Sequence, residues 1–237
     1  MSRIKRYRTA LARHHRSGGF GIHSPSAYNF VRQVLRQRLP YYAYEDIAQY
    51  RSAVKSILTR ADRHMMPLIT TGEAKLLFRL VNHFMPKQML VVGTSHGVDC
   101  AAMLAVSSRS RLWLYEPRLE QMPHVVSVLR DDLARIECYD SLPVALSEFS
   151  ASGDSVLLLV TDVPQPQDTE TLGQAMRTVA MQGGVVVARN LHRNDTLSRL
   201  WEQLCEELSY GHMFTNGKTA ILFANKKLPY QRFSLWF

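Results

Sequence analysis

Residues 88–117 read QMLVVGTSHGVDCAAMLAVSSRSRLWLYEP, and this stretch decides the fold of the chain. Residues 89–92 are a short, continuous apolar run, which is typical of a strand buried on both faces of a sheet. Gly93 and Gly97 then permit a tight turn and the close approach of a ligand to the backbone. A helical stretch, a second strand and Glu116 complete one half of a nucleotide-binding α/β fold.

The position of Glu116 indicates the kind of ligand. It lies 23 residues past Gly93, close to the spacing of about 20 at which such an acid meets a ribose hydroxyl. The middle glycine of the dinucleotide motif G-x-G-x-x-G, which admits a pyrophosphate, is absent here. The pattern therefore favours an adenosine-type ligand, and a βαβ unit that binds nothing remains the alternative.

The rest of the chain continues the alternation of strands and helices. Apolar runs predict further strands at residues 134–139, 155–160 and 183–188, and a single helix is predicted over residues 119–130. Asn216-Gly217 predicts a β-hairpin between two terminal strands. We therefore predict an α/β class protein with a doubly wound parallel sheet that ends in an antiparallel hairpin.

The N-terminal region is expected to be helical. Ser24 before Pro25 is a plausible N-cap with proline at the first helical position. A second helix is predicted from about Tyr41, and Thr71 is predicted to cap a third helix over residues 72–84.

The net charge of +9 is unevenly distributed over the 237 residues. Residues 1–44 contain nine Lys or Arg and no Asp or Glu, so the charges of the remaining residues sum to zero. Residues 1–16 could form a basic helix. Three interpretations stay open: a solvated or partner-docked arm, a segment that binds nucleic acid or a membrane surface, and an organellar transit peptide.

Hydropathy and cysteine usage suggest a cytoplasmic protein. No apolar run reaches the roughly 18 residues of a membrane span, and the N-terminus has no apolar core of the secretory type. Cys100, Cys138 and Cys205 are odd in number and lie in apolar surroundings. We expect reduced core thiols, with neither a disulfide framework nor a metal site.

Several motifs resemble those of class I S-adenosylmethionine-dependent methyltransferases, in the branch that includes catechol and caffeoyl-CoA O-methyltransferases. These are TTGEAKLL at residues 70–77, LVVGTSHG at 90–97 and YDS at 139–141. The resemblance implies a seven-stranded Rossmann-like methyltransferase sheet. It also implies three parts: a basic N-terminal arm over residues 1–17, a helical extension over 18–70 and a methyltransferase-like domain over 71–237.

The same resemblance implies S-adenosylmethionine as the cofactor. The positions that match the family's binding motifs are Thr71, Gly93, Thr94, Ser95, Gly97, Glu116, Asp140 and Ser141. Val91 departs from the pattern, because the family usually has an acid there that helps to hold the methionine ammonium group. We therefore expect the cofactor to bind weakly.

A second departure concerns metal binding. The metal-dependent members of this branch bind a divalent cation with an Asp after strand four and an Asp-Asn pair after strand five. This chain keeps Asp162 and Asn190 but has Arg189 in place of the second Asp. Because a cation site needs negative oxygen ligands, we predict that no metal binds.

Three residues are the candidate catalytic groups. Asp162, Arg189 and His192 follow the predicted fourth and fifth strands, over the crevice where ligands of α/β sheets bind. His192 could remove a proton from the acceptor, and Arg189 beside Asp162 could stabilise developing negative charge. Structural alternatives are a surface-loop histidine and an Asp162–Arg189 salt bridge.

The sequence thus predicts metal-independent methyl transfer from S-adenosylmethionine to a small-molecule acceptor. Two alternatives stay open: a catalytically silent methyltransferase-like binding or assembly protein, and a dinucleotide-dependent enzyme. A homodimer is also left open.

Overall fold

The computed structural model describes residues 22–149 and 155–237 of the chain. Within these ranges one eight-stranded sheet lies at the centre and helices cover both of its faces. The strands are β1 Gln88–Val92, β2 Leu112–Tyr115, β3 Ile136–Tyr139, β4 Val156–Val160, β5 Val185–Ala188, β6 His212–Thr215, β7 Ala220–Phe223 and β8 Gln231–Ser234. The predicted basic arm, residues 1–17, lies outside the described ranges.

Nine α-helices flank the sheet in the described part of the chain. They are α1 Pro25–Phe30, α2 Ala43–Ile57, α3 Arg60–Met65, α4 Thr71–Phe84, α5 Val98–Leu104, α6 Pro123–Val128, α7 Leu142–Glu148, α8 Thr169–Met181 and α9 Asp195–Glu207. A π-helical segment, Val31–Leu35, continues α1. Among the helices that the structure describes, none combines the length and apolar character that a membrane span requires.

The strand order is β3-β2-β1-β4-β5-β7-β6-β8. The first five strands in this order pair in parallel, and β7 runs antiparallel to both β5 and β6. The order of the parallel strands reverses between β1 and β4, which creates a crevice at their carboxyl ends. The predicted doubly wound sheet with a terminal antiparallel hairpin is confirmed.

The eighth strand was not predicted. β8 pairs in parallel with β6 at the edge of the sheet, and none of its residues is fully buried. Its sequence, QRFS, lacks the continuous apolar run that identifies the inner strands. The predicted count of seven strands therefore becomes eight in the described chain.

Pro123 divides the region that was predicted as one helix over residues 119–130. Leu119–Gln121 forms a 3-10 turn, and α6 begins only at Pro123. Proline disfavours helical backbone in the residue before it, and Met122 has φ −123° and ψ 59°. Because Met122 is not helical, the 3-10 turn and α6 are two separate elements between β2 and β3.

The N-cap of α4 is Thr70, one residue before the predicted Thr71. The Thr70 hydroxyl accepts a hydrogen bond from the Glu73 backbone N–H at 3.2 Å, and the Glu73 carboxylate accepts one from the Thr70 N–H at 3.1 Å. This reciprocal capping box satisfies donors that the helix itself cannot pair. Thr71 becomes the first residue of the helix.

The N-terminal helices pack on α4 as part of the main core. The predicted Ser24 cap is confirmed, since its hydroxyl accepts a hydrogen bond from the Ala27 N–H at 3.4 Å. The rings of Phe30 and Phe84 lie 5.8 Å apart, and Arg79 of α4 donates a 2.6 Å hydrogen bond to the Val34 carbonyl. The helical extension over residues 18–70 remains a predicted unit, and its helices α1 and α2 share one hydrophobic core with α4 and α5.

Alternate residues of β1 enter two separate cores. Met89 and Val91 join the core that contains α1, α2, α4 and α5. Leu90 and Val92 join the core that contains α7, α8 and α9. The alternation follows from the pleat of the strand, and it determines which face each residue at the carboxyl edge of the sheet reaches.

The three cysteines are free thiols, and two of them are buried as expected. Cys138 is exposed, contrary to the prediction of a core thiol, because β3 is an edge strand whose middle residues face solvent. Burial raises the pKa of Cys205 to about 12. The buried thiols are therefore protonated at neutral pH.

Candidate functional site

The end of β1 approaches the end of β4 closely because residue 93 has no side chain. Gly93 adopts φ 70°, a left-handed conformation that favours glycine. A Cβ atom at this position would lie 3.0 Å from the Cβ of Asp162 and 3.2 Å from its backbone N. The glycine turn and the β4 end thus form one continuous wall of the crevice.

Asp99 holds the glycine turn together from inside. It is fully buried in the first turn of α5. Its carboxylate accepts hydrogen bonds from the Thr94 hydroxyl at 2.6 Å and the Ser95 N–H at 2.7 Å. The Thr94 hydroxyl in turn accepts from the Gly97 N–H at 3.0 Å. Thr94 and Ser95, predicted as cofactor contacts, also serve as structural supports of the turn.

A segment before α4 lies against the same turn. The Ser95 hydroxyl donates to the Pro67 carbonyl at 2.8 Å and accepts from the Ile69 N–H at 2.7 Å. His96 is fully buried with φ 57°, and its Nε2 lies 2.8 Å from the Met66 carbonyl. These contacts attach residues 66–69 to the glycine turn, so the N-terminal extension helps to form the crevice.

Glu116 lies at the end of β2, as predicted, and its carboxylate is almost completely buried. Oε2 accepts a hydrogen bond from the Thr94 N–H at 3.1 Å, which ties β2 to the glycine turn. Arg118, which sequence reasoning missed, donates to both carboxylate oxygens: Nε to Oε1 at 2.7 Å and Nη2 to Oε2 at 3.0 Å. Arg118 could have been found from the sequence Glu-Pro-Arg, which places a basic residue two positions after Glu116.

Arg118 also reaches across the crevice to β4. Its Nη1 donates to Asp162 Oδ2 at 3.1 Å. Burial lowers the pKa of the guanidinium, but pairing with Glu116 and Asp162 outweighs burial, so the pKa of Arg118 is raised. The arginine is a permanent cation that joins the ends of β2 and β4.

Asp162 has a second partner and lines a small cavity. The Asn194 side chain, at the N-cap of α9, donates to Asp162 Oδ1 at 2.7 Å. The cavity has a volume of about 210 Å³, below the roughly 300–1,000 Å³ of typical ligand pockets. It is lined by His64, Met66, Pro67, Thr161, Asp162, Asn190, Arg193 and Asn194.

Arg189 pairs with Glu73 and not with Asp162, so the Asp162–Arg189 salt bridge that was left open as an alternative is wrong. Its side chain is 2% exposed, and Nη2 lies 3.7 Å from Glu73 Oε1. Val187 and Arg189 alternate onto the face that carries α4, and this places the guanidinium beside α4 rather than beside Asp162. Its Nε and Nη1 have no hydrogen-bond partner among the described residues.

His192 lies in the loop after β5, is largely exposed and is not among the residues that line the cavity beside Asp162. Partial burial and the nearby cations Lys218 and Arg193 lower its pKa, with Glu73 opposing them. The imidazole is therefore neutral at pH 7, as a proton acceptor must be. Asn190 adopts φ 60° and donates to the Thr161 carbonyl at 3.1 Å, which joins the ends of β4 and β5.

Asp140 and Ser141 lie beside Glu116 at the carboxyl edge of the sheet. Asp140 is exposed and Ser141 precedes α7, both directly after β3, the strand that pairs with β2. The Glu116 N–H donates to the Tyr139 carbonyl at 3.2 Å, so the Asp140–Ser141 loop and Glu116 share one edge of the sheet. Thr71 is the first residue of α4.

The described residues contain no group of three or more His, Cys, Asp or Glu side chains that could hold a metal ion. The two residues retained from the metal motif, Asp162 and Asn190, lie close together but have other partners. Asp162 bonds Arg118 and Asn194, and Asn190 bonds Thr161.

No protein-family model and no curated protein matches the chain. Solved structures do match. A methyltransferase from Podospora anserina with bound SAH has a TM-score of 0.58 at 11% identity, covering 85% of this chain and 94% of its own. An O-methyltransferase from Bacillus cereus in complex with SAH has a TM-score of 0.55 at 15% identity, covering 80% and 93%.

An O-methyltransferase from Streptomyces achromogenes, involved in tomaymycin synthesis and crystallised with SAM, has a TM-score of 0.50 at 17% identity. The match covers 79% of this chain and 92% of that one. At these identities the similarity shows the fold. The chain therefore has the fold that these methyltransferase structures share.

Proposed function

We propose that this chain binds S-adenosylmethionine and transfers its methyl group to a small-molecule acceptor without a metal ion. The observation that carries the proposal is the buried Glu116 carboxylate, held at the end of β2 beside the left-handed glycine turn. A ligand with a ribose needs such an acceptor, and a ligand that approaches the backbone needs the space at Gly93.

The residues fit the nucleoside part of the cofactor better than its amino-acid part. Glu116 would accept hydrogen bonds from the ribose hydroxyls, and the Asp140–Ser141 loop lies on the adenine side of the same edge. Val91 is fully buried and apolar, so it offers no carboxylate to the methionine ammonium group. We therefore expect weak binding.

Methyl transfer from a sulfonium is an in-line displacement by the acceptor, and the bound cofactor would supply the methyl group. The protein's contribution is alignment of donor and acceptor, which can account for much of the acceleration. We assign the acceptor to the crevice at the ends of β4 and β5, beside Asp162 and Asn190. Neutral His192, in the loop after β5, would take the acceptor's proton, and His192→Ala should lower kcat more than it changes cofactor affinity.

The role predicted for Arg189 is not carried into this proposal, because its guanidinium lies beside Glu73. Metal independence is supported by the partners of Asp162, since both of its oxygens already accept hydrogen bonds from side chains. Turnover should persist in EDTA. Loss of turnover on chelation, restored by Mg²⁺, would contradict this part of the proposal.

Calorimetry with S-adenosylhomocysteine tests the binding site. Hydrogen bonds to a charged acceptor contribute about 1.5–3 kcal/mol, so Glu116→Ala should weaken binding about tenfold or more. Glu120→Ala removes an exposed acid nearby and should change nothing. An unchanged dissociation constant in Glu116→Ala would remove the ribose assignment, and tighter binding of NAD would favour the dinucleotide-dependent enzyme.

The second candidate is a catalytically silent methyltransferase-like binding or assembly protein. The bridge from Arg118 to Glu116 and Asp162 favours it, because the groups that would meet a nucleoside are already bonded to each other. Absence of both S-adenosylhomocysteine binding and turnover would support this candidate over the first.

We also propose that residues 1–16 bind an anionic partner, on the basis of their charge alone. They lie outside the described residues, and the domain division, a homodimer and cytoplasmic location likewise stay predictions.

A further inference from the structure

Every acceptor position of the Glu116 carboxylate is filled. Oε1 accepts from the Arg118 N–H at 3.2 Å and from Arg118 Nε at 2.7 Å. Oε2 accepts from the Thr94 N–H at 3.1 Å and from Arg118 Nη2 at 3.0 Å. A carboxylate offers about four lone-pair positions, so a ribose can bond to this one only by displacing a donor.

Arg118 is the donor that can leave. Thr94 donates from the backbone of the glycine turn, whose position Asp99 fixes. The Arg118 side chain is 20% exposed and lies at the rim of the crevice. It also has a second anion, Asp162, that can keep the guanidinium paired after it leaves Glu116. Rotation of one side chain would thus free two acceptor positions without breaking the sheet.

We propose that Arg118 is an internal occupant of the nucleoside site, which the ribose of the cofactor must displace. This inference rests on the proposed function and adds a residue that determines cofactor affinity. A bidentate guanidinium satisfies both carboxylate oxygens, so only a ligand that donates to both of them replaces it. A vicinal diol does so with two neutral hydroxyl donors while Asp162 keeps the displaced guanidinium paired, which gives the site a preference for ribonucleosides.

The size of the crevice supports the same inference. The cavity beside Asp162 is about 210 Å³, and Arg118 spans the adjacent gap between the ends of β2 and β4. Withdrawal of this side chain would therefore widen the opening between the ends of β2 and β4.

The experiment is calorimetric titration of S-adenosylhomocysteine into the full chain and four variants. These are Arg118→Ala, Arg118→Gln, Glu116→Ala and the double variant of Glu116→Ala with Arg118→Ala. Arg199→Ala, which removes an exposed cation on α9, is the control. Melting temperatures establish that each variant is folded, and Arg118→Gln keeps a hydrogen-bond donor beside Glu116 in case Arg118→Ala does not fold.

Arg118→Ala and Arg118→Gln should bind S-adenosylhomocysteine about tenfold or more tightly than the unmodified chain. Because the arginine competes at Glu116, the gain should vanish in the double variant, which should bind like Glu116→Ala. Arg199→Ala should bind like the unmodified chain. Adenosine should gain from Arg118→Ala more than 2′-deoxyadenosine does.

Two other results are distinguishable. Equal, measurable binding by the unmodified chain and Arg118→Ala would leave the proposed function standing and overturn the role of Arg118. No binding by any folded variant would overturn both, since removal of the arginine would not have opened a site.

Discussion

At the scale of single residues, the absence of a side chain at Gly93 determines how close β1 and β4 come. The sequence predicted that this glycine and Glu116 contribute to a nucleoside site, because an acid at that spacing after a glycine turn is typical of a nucleoside-binding α/β unit. Arg118 and Asp99 were not predicted. Each of these two residues acts through hydrogen bonds to particular neighbours. The periodicity of the sequence does not specify those neighbours, because they depend on how the side chains pack in the folded protein.

Gly93→Ala should destabilise the fold. A non-glycine residue in the left-handed conformation costs about 1–2 kcal/mol, and the new methyl group would also press against Asp162 at 3.0 Å. Gly72→Ala is the matched control. It lies in the first turn of α4 with no atom within 4 Å of the added Cβ, so it should be neutral or slightly stabilising. Urea unfolding measures both, and equal stabilities would show that the turn has room for a side chain.

At the scale of elements, α4 shows what sequence predicts well and what it does not. The cap predicted at Thr71 placed the start of the helix to within one residue. Arg189, in contrast, was expected over the crevice with Asp162. The sequence showed only that Arg189 follows β5. Which face it reaches depends on where the pleat of that strand begins, and in the structure its partner is Glu73 on α4.

The Glu73–Arg189 pair predicts that replacing its two members changes the stability of the protein by different amounts. Glu73→Ala should cost about 3 kcal/mol, because it leaves a buried guanidinium without a counter-ion and removes half of the capping box. Arg189→Met should be close to neutral or stabilising, since Nε and Nη1 already lack partners in the described structure. Thr70→Ala isolates the capping contribution of about 0.5–2 kcal/mol. Chemical unfolding of the three variants tests this, and a larger loss in Arg189→Met than in Glu73→Ala would contradict it.

At the scale of the whole molecule, the order of elements along the chain predicted a doubly wound parallel sheet. Alternating apolar strands and helices leave few ways to bury both faces of such a sheet. The hairpin followed from Asn216-Gly217. The edge strand β8 could not be predicted, since its short, half-exposed sequence carries no period. Packing of the N-terminal helices on α4 also depends on contacts between distant residues, such as Phe30 with Phe84.

Removal of residues 1–17 should separate stability from partner binding. Gly18-Gly19 breaks the chain between the arm and the helical extension, so the melting temperature should hardly change. Any salt-sensitive association with RNA, DNA or anionic vesicles should be lost, since it rests on the basic residues of the arm. A version in which only the arm's Lys and Arg residues become Gln is the control for length. A large drop in melting temperature would show that the arm packs on the fold.

His212 joins the N-terminal extension to the sheet and makes that junction sensitive to acid. Its fully buried ring places Nε2 at 2.8 Å from the Ser26 hydroxyl and 3.2 Å from that of Ser24. Burial lowers the pKa of His212, against a smaller opposing effect of the Gly211 backbone. The folded state therefore favours the neutral ring. Its contribution to stability is complete above the unfolded pKa of about 6.5 and is lost as the pH falls below that value.

The free energy of unfolding should thus decrease as the pH falls below about 6.5, by at most about 1.4 kcal/mol per pH unit for each such proton. His83, His124 and His192, whose pKa values are also lowered, contribute to the same trend. His212→Phe keeps an aromatic ring among Phe214, Phe223 and Phe233 and should flatten the pH profile, whatever it does to stability at pH 8. Parallel profiles for the unmodified chain and His212→Phe, measured by urea unfolding, would show that the protonation of His212 is not coupled to folding.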